Sequence, residues 1–178
     1  VAQNDGSRVS YEGNGDLEKD DVLEYNTIRV PRGGEYKLFL SDNTEVFLNS
    51  DSEIRYPVAF GKDRRTVFLS GEAYFEVTKD AVRPFYVVLD GMEVKVYGTS
   101  FNVNTHYQGK ILTTLIEGKV GIRVKSTGAE SLLQPNQMAE FSLENKDVKV
   151  TDVDTYYYTA WRAGEFVFQN ETVEEIME

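Results

Sequence analysis

Thr66-Val-Phe-Leu-Ser-Gly-Glu-Ala-Tyr-Phe-Glu-Val77 returns in altered form as Thr113-Thr-Leu-Ile-Glu-Gly-Lys-Val-Gly-Ile-Arg-Val124. Each copy reads as a strand, a turn at Gly71 or Gly118, and a second strand of alternating character. Each closes with apolar residues two apart: Ala73, Phe75 and Val77 in the first, Val120, Ile122 and Val124 in the second. A period of two places such side chains on one face of a sheet. One strand-turn-strand unit used twice predicts a layered β scaffold.

The flanking sequence continues the pattern. Tyr36, Leu38 and Leu40 alternate with Lys37 and Phe39, Ser41-Asp-Asn-Thr44 makes a turn, and Val46 and Leu48 alternate with Glu45 and Phe47. This predicts a hairpin, with Asn43 in the left-handed region that Asn tolerates nearly as well as Gly. Phe85-Tyr-Val-Val-Leu89 is a continuous apolar run after Pro84 and predicts a strand buried on both faces. Asp90-Gly91 turns the chain, and Met92, Val94 and Val96 alternate with Glu93 and Lys95. Gly98-Thr-Ser interrupts the pattern before Phe101 and Val103 resume it. A turn at Pro135-Asn136 precedes a strand through Phe141, and Val148 and Val150 complete the series. Roughly ten short strands, turn signals every ~8–12 residues and almost no helix indicate an all-β sandwich or barrel.

At 178 residues the chain is long enough for one domain with appendages, and a chain of this length buries about 70% of the surface it exposes when unfolded. Ten Phe, eleven Tyr and one Trp suit a folded β protein. No run approaches the ~18 apolar residues of a membrane span, and no signal peptide opens the sequence. With no cysteine, disulfides and thiol chemistry are excluded. The net charge of −11 is concentrated at the ends. Residues 1–26 hold seven acids and two bases, net −5, and residues 165–178 hold five acids and no base, net −5. The remaining 18 acids and 17 bases leave the middle at −1. Acidic ends repel phosphate backbones and no basic stripe offsets them, so nucleic acid is an unfavourable partner.

Residues 1–26 are rich in Gly, Asn and Asp and read as a flexible acidic lead-in. The character changes again at Asp152. Asp154 is placed to N-cap a short helix over Thr155 to Ala163, with Gly164 as its stop. Phe166-Val-Phe168 reads as a brief strand, and Thr172-Val-Glu-Glu175 as a capping box whose helix carries Val173, Ile176 and Met177 on one face. An amphipathic helix that stops after two turns predicts a second domain, begun and cut off, in residues 152–178.

Reactive constellations are scarce. His106 has no Cys or second His for a metal site. Gly33-Gly34 leads into a strand pattern and forms no phosphate cradle. Glu72, Glu76, Glu117 and Asp90 are the candidates for a glycosidase-like carboxyl pair, against a simpler reading as ordinary solvated charge. Tyr156, Tyr157, Tyr158 and Trp161 suit a sugar platform or, with Tyr157 and Trp161 four apart, a helix packed on a sheet. Arg64-Arg65 looks like an anion site, but adjacent strand residues face opposite ways.

Read together, several blocks become familiar. They are Pro31-Arg-Gly-Gly-Glu-Tyr36, Leu40-Ser-Asp-Asn-Thr-Glu-Val-Phe-Leu-Asn49 and Ser52-Glu-Ile-Arg-Tyr-Pro57. Gly71-Glu-Ala-Tyr-Phe-Glu-Val77, Gly98-Thr-Ser-Phe-Asn-Val103, Leu115-Ile-Glu-Gly-Lys-Val120 and Leu133-Gln-Pro-Asn-Gln137 follow in order. The chain closely resembles the FecR family of anti-sigma regulators in the form common among Bacteroidetes, over about residues 27–151. Trp161-Arg-Ala-Gly-Glu-Phe-Val-Phe168 resembles the junction to that family's following small domain. The motif residues on which the resemblance rests, with an expected structural role, are Gly71, Glu72, Ala73, Phe75, Gly98, Thr99, Phe101, Asn102, Gly118 and Trp161. Asn43 and Asn136 stand where the family has turn glycines, a departure the left-handed tolerance of Asn accommodates.

The resemblance implies a jelly-roll-like β-sandwich, no enzymatic activity and no cofactor. It implies the periplasmic sensor part of a single-span inner-membrane regulator. Such a part receives a signal from a TonB-dependent outer-membrane transducer and relays it to an extracytoplasmic-function sigma factor. The sigma-binding segment and the span would lie outside this sequence. Phe166, Val167 and Phe168 are the candidate contact edge for the transducer's signalling domain, since an edge strand accepts an added strand. Two rival readings make different predictions. A carbohydrate-binding module requires a line of exposed coplanar aromatics. A sugar-cleaving enzyme requires two carboxyl groups about 5–9 Å apart in a cleft. The repeat argues against the enzyme, because it spreads similar residues through the fold.

Overall fold

The computed structural model describes residues 23–165 in full and, within the acidic lead-in, the backbone of Ala2–Asn4 and Arg8–Tyr11. The described residues form sixteen strands in two open sheets that stack as a sandwich. The nine-stranded layer runs, in spatial order, β1 (Ala2–Asn4), β2 (Arg8–Tyr11), β4 (Tyr36–Phe39), β5 (Glu45–Leu48), β8 (Glu72–Glu76), β11 (Ser100–Asn104), β12 (Lys110–Glu117), β15 (Gln137–Ser142) and β16 (Val148–Asp152). The seven-stranded layer runs β3 (Tyr25–Val30), β6 (Ser52–Pro57), β7 (Arg65–Ser70), β9 (Phe85–Val88), β10 (Met92–Val96), β13 (Val120–Val124) and β14 (Glu130–Leu133). Pairing is antiparallel except for β2 with β4 and β7 with β9. In both layers the strand number rises steadily across the sheet, so the chain advances through the sandwich while passing from layer to layer.

The repeated unit makes two of these passages. β7 lies in the seven-stranded layer and β8 in the nine-stranded one, so Gly71 is a corner between layers and not the tip of a hairpin. Gly118 does the same in reverse, carrying β12 to β13. Both glycines have left-handed backbones, φ +102° and +98°. Both are also pressed against an earlier strand start. A Cβ on Gly71 would lie 2.6 Å from Ser52 Cα, and one on Gly118 would lie 2.8 Å from Thr99 Oγ1. Ser52 and Thr99 are 47 residues apart, as are Gly71 and Gly118 (99 − 52 and 118 − 71). The hydroxyls close the corners: Ser52 Oγ accepts from the Glu72 N–H at 2.8 Å, and Thr99 Oγ1 donates to the Lys119 carbonyl at 3.0 Å. The repeat is therefore longer than its apolar signature, because each corner also carries the hydroxyl that it packs on.

The core lies between the layers. Ala73, Phe75 and Val77 face inward from one side and Val120, Ile122 and Val124 from the other. Phe60, Phe85, Phe75 and Phe101 form a continuous aromatic run with centroid separations of 5.9, 6.1 and 5.1 Å. The last pair is stacked within 13°, a contact worth about 0.5–1.5 kcal/mol beyond its burial. Asn43 and Asn136 are left-handed, φ 63° and 64°, so both turns keep the geometry their departures from glycine put at issue.

The strands outnumber the roughly ten expected, and two segments differ in detail. The run Phe85–Leu89 buries only Phe85, Val87 and Leu89; Tyr86 and Val88 are half-buried on the outer face. Tyr86 is apolar in bulk yet stands beneath the cations of Arg64 and Lys95 on a wet surface, which an apolar count does not reveal. The segment Thr155 to Ala163 is capped as expected by Asp154 and stopped by left-handed Gly164. It is nonetheless two 3-10 helices, Thr155–Tyr158 and Ala160–Ala163, broken at Thr159.

Arg65 and Asp42 tie the layers together. Arg65 points inward and is fully buried, while Arg64 faces out. The Arg65 guanidinium donates to Asp42 Oδ2 at 2.7 Å and to the carbonyls of Thr78 (2.9 Å) and Arg83 (3.0 Å). Asp42 also accepts from the Thr44 N–H and hydroxyl, so the β4–β5 turn is organised around this carboxylate. The anion site suggested by the paired arginines is occupied by the protein's own acid.

Candidate functional site

Outward positions of a two-layer sandwich ordinarily meet water and are polar. On the nine-stranded layer this fails at the centre, where Glu72, Tyr74, Asn102, Leu112 and Thr114 are buried on the outward side. The C-terminal segment that leaves β16 covers part of this centre. Val153 donates to the Asn136 carbonyl at 2.9 Å, turning the chain back over the sheet, and the first 3-10 helix packs on β12. Ala160 is buried. Burial first, and the nearby Glu140 carboxylate second, raise the Tyr158 phenol above its ordinary pKa.

Arg162 anchors this strap. Its guanidinium lies 3.7 Å from the Tyr74 ring centroid and 4.9 Å from that of Phe47, and Nη1 is 3.2 Å from Glu76 Oε1. Phe47 and Tyr74 meet edge to face at 6.1 Å. One cation thus holds three side chains on β5 and β8. Trp161 beside it has a buried indole Nε1 without a hydrogen-bond partner among the described residues.

The family-motif residues converge just beneath. β8 and β11 pair directly, so Phe75 opposes Phe101 and Ala73 opposes Val103 on the inner side. On the outer side Glu72 accepts from Asn102 Nδ2 at 2.9 Å and from Asn49 Nδ2 at 2.7 Å. The Gly71–Val77 and Gly98–Val103 blocks are therefore two halves of one contact. Gly98 is required by a close approach to Lys79, whose Cα would stand 2.7 Å from an added Cβ. Trp161 belongs to the strap, and Phe166, Val167 and Phe168 lie outside the described residues.

Two of the candidate acids are engaged: Glu72 is buried between two amides and Glu76 pairs with Arg162, while Glu117 and Asp90 are exposed. The exposed rings of Tyr156 and Tyr157 stand at 67° to each other, not coplanar as a flat sugar platform needs. His106 is an exposed loop residue whose Nε2 is 3.2 Å from the Ser50 carbonyl. No group of three or more His, Cys, Asp or Glu side chains able to hold a metal occurs among the described residues. What sequence reasoning missed is Arg162 and its aromatic seat. The available signal was Tyr74, an aromatic at an outward position between Glu72 and Glu76, which needs a cover.

Fold and site together define a two-layer β scaffold with an organised exit segment. The FecR protein family model matches residues 26–121, more than half of the 178 residues, and the chain belongs to the FecR family. Two crystal structures of a protein from Parabacteroides distasonis ATCC 8503, assigned as an anti-sigma factor, are similar at 30% identity. They superpose with TM-scores of 0.78 and 0.77, covering 86% and 85% of this chain and 71% of theirs. No curated protein matches the chain.

Proposed function

We propose that this chain is the periplasmic sensor part of a membrane-anchored anti-sigma regulator. It receives a signal from the signalling domain of a TonB-dependent outer-membrane transducer and passes it to an extracytoplasmic-function sigma factor that controls nutrient-uptake genes. Family membership supports the regulatory role. The observation that carries the relay is the strap. The chain leaves the sandwich through residues 153–165, clamped by Arg162 on Tyr74 and Glu76, so displacement of the exit segment and of the sheet face are mechanically one event. Phe166, Val167 and Phe168 follow the clamp directly and keep their place as the candidate contact edge. The motif residues Gly71, Glu72, Gly98, Thr99, Asn102 and Gly118 maintain the scaffold in this reading and touch no partner.

The test is association. A longer form of this chain, continuing beyond residue 178, is titrated with the signalling domain of the transducer encoded beside it. Saturable binding at micromolar concentration is expected, and a signalling-domain titration that stays flat there overturns the relay.

A further inference from the structure

The outer face of the seven-stranded layer has a charge pattern that no reading above uses. Among the described arginines, Arg29, Arg32, Arg65, Arg83, Arg123 and Arg162 each have a carboxylate within 4 Å. Arg55 and Arg64 have none among the described residues, although the chain carries eleven excess negative charges. Both stand on this one face and sit over rings: Arg55 is 4.3 Å from the Tyr25 centroid and 5.3 Å from that of Phe68, and Arg64 is 5.8 Å from that of Tyr86. Lys95 joins them, 5.9 Å from Tyr86 and 5.4 Å from Tyr97, and also has no ion pair among the described residues. A side-chain hydrogen bond with Tyr97 holds its ammonium above the ordinary lysine pKa. The acids on the same face are Glu53, Glu93 and Glu130; Glu53 pairs with Arg29 and Glu93 with Arg123. With five cations against three acids the face is net +2 on a strongly acidic chain.

We infer that this face docks an acidic surface of a folded protein partner, with Arg55, Arg64 and Lys95 as the charged anchors. Arg55 on β6 and Lys95 on β10 are separated by β7 and β9, three strand spacings or about 14–15 Å. No small anion spans that distance, whereas carboxylates spread over a protein surface do. The rings are already capped by cations, which blocks the stacking a sugar would need but leaves the guanidinium edges open to carboxylates. Arg, Tyr and Phe are residue types that dominate protein interfaces, and exposed Leu132 and Tyr97 add apolar contact on the same face. Complementary charge would speed and orient encounter and make it salt-sensitive.

This inference does not rest on the relay, and each can fail alone. The intact chain 1–178 is titrated by calorimetry with poly-L-glutamate and, separately, with polygalacturonate, at low and physiological salt. Binding of poly-L-glutamate that weakens with salt is expected. Arg55→Gln with Arg64→Gln should weaken it at least about tenfold, and Lys95→Gln should weaken it independently, all with unchanged melting temperature. The control pair Arg32→Gln with Lys149→Gln, which removes the same charge elsewhere, should change it less than about twofold. The inference is overturned if poly-L-glutamate does not bind, if the control pair weakens binding equally, or if polygalacturonate binds more tightly.

Discussion

The guanidinium of Arg162 rests 3.7 Å from the ring centroid of Tyr74, eighty-eight residues earlier in the chain (162 − 74). This one contact joins the exit segment to a central strand of the nine-stranded layer. Its companion ion pair with Glu76 is partly exposed, 29% and 42% by side chain, and so adds only about 0.2–1 kcal/mol. The cation–ring term of about 0.5–2 kcal/mol is the larger part.

Arg162→Ala should therefore loosen the strap and cost about 1–2 kcal/mol in urea unfolding. Trp161 is the chain's one tryptophan, so its emission reports the strap alone. A shift to longer wavelength at full secondary structure is expected, while Glu76→Gln should shift it less. An unchanged Trp161 spectrum in Arg162→Ala would show that other contacts hold the strap.

Asp42→Ala should be far more damaging, about 3–5 kcal/mol, because it leaves the fully buried Arg65 cation without its counter-charge. Replacing both members by apolar residues of similar size should recover much of the loss. Chemical denaturation of the single and double variants measures this directly, and equal losses in both would contradict it.

Corner glycines should differ sharply from loop glycines. Gly71→Ala meets the backbone of Ser52 at 2.6 Å with φ +102°, and should cost about 3 kcal/mol or more. Gly33→Ala has the same handedness problem, φ +76°, but open space, and should cost about 1–2 kcal/mol. Gly61→Ala has neither and should be neutral or stabilising by up to about 1 kcal/mol. The order of the three melting temperatures is the measurement.

Acid should expose the contribution of Asp80. The N–H of Arg83, then the Arg83 side chain, then the N–H of Val82 hold its carboxyl down at about 2 from 3.8. The unfolded chain therefore binds more protons than the folded one between about pH 4 and 2. Stability from this group is present above that window and lost as pH falls through it. Asp80→Asn should lower stability at neutral pH and flatten the stability–pH curve between pH 4 and 2, with no change of slope above pH 5.

The strap was half legible. Asp154, Gly164 and the span Thr155 to Ala163 follow from capping chemistry, which is local. Its 3-10 form is a tertiary outcome, since the break at Thr159 accompanies packing on β12. Arg162 carried no local mark because its seat, Phe47 and Tyr74, lies on strands contributed much earlier. The paired repeat foretold layers but not that Gly71 and Gly118 cross between them, because strand alternation says which side is buried and not which neighbour is bonded.

By itself the sequence determined where strands run, which side chains alternate inward, where the backbone turns left-handed at Asn43 and Asn136, and to which family the motif blocks point. Those are properties of a few consecutive residues and their dihedral preferences. Only the tertiary structure decided that Arg65 meets Asp42 across the layers, that Glu72 serves two amides, and that Arg55, Arg64 and Lys95 gather on one face. Such partners are set by the order in which strands pair, and that order comes from burying two opposed apolar faces at once, a condition on the whole chain.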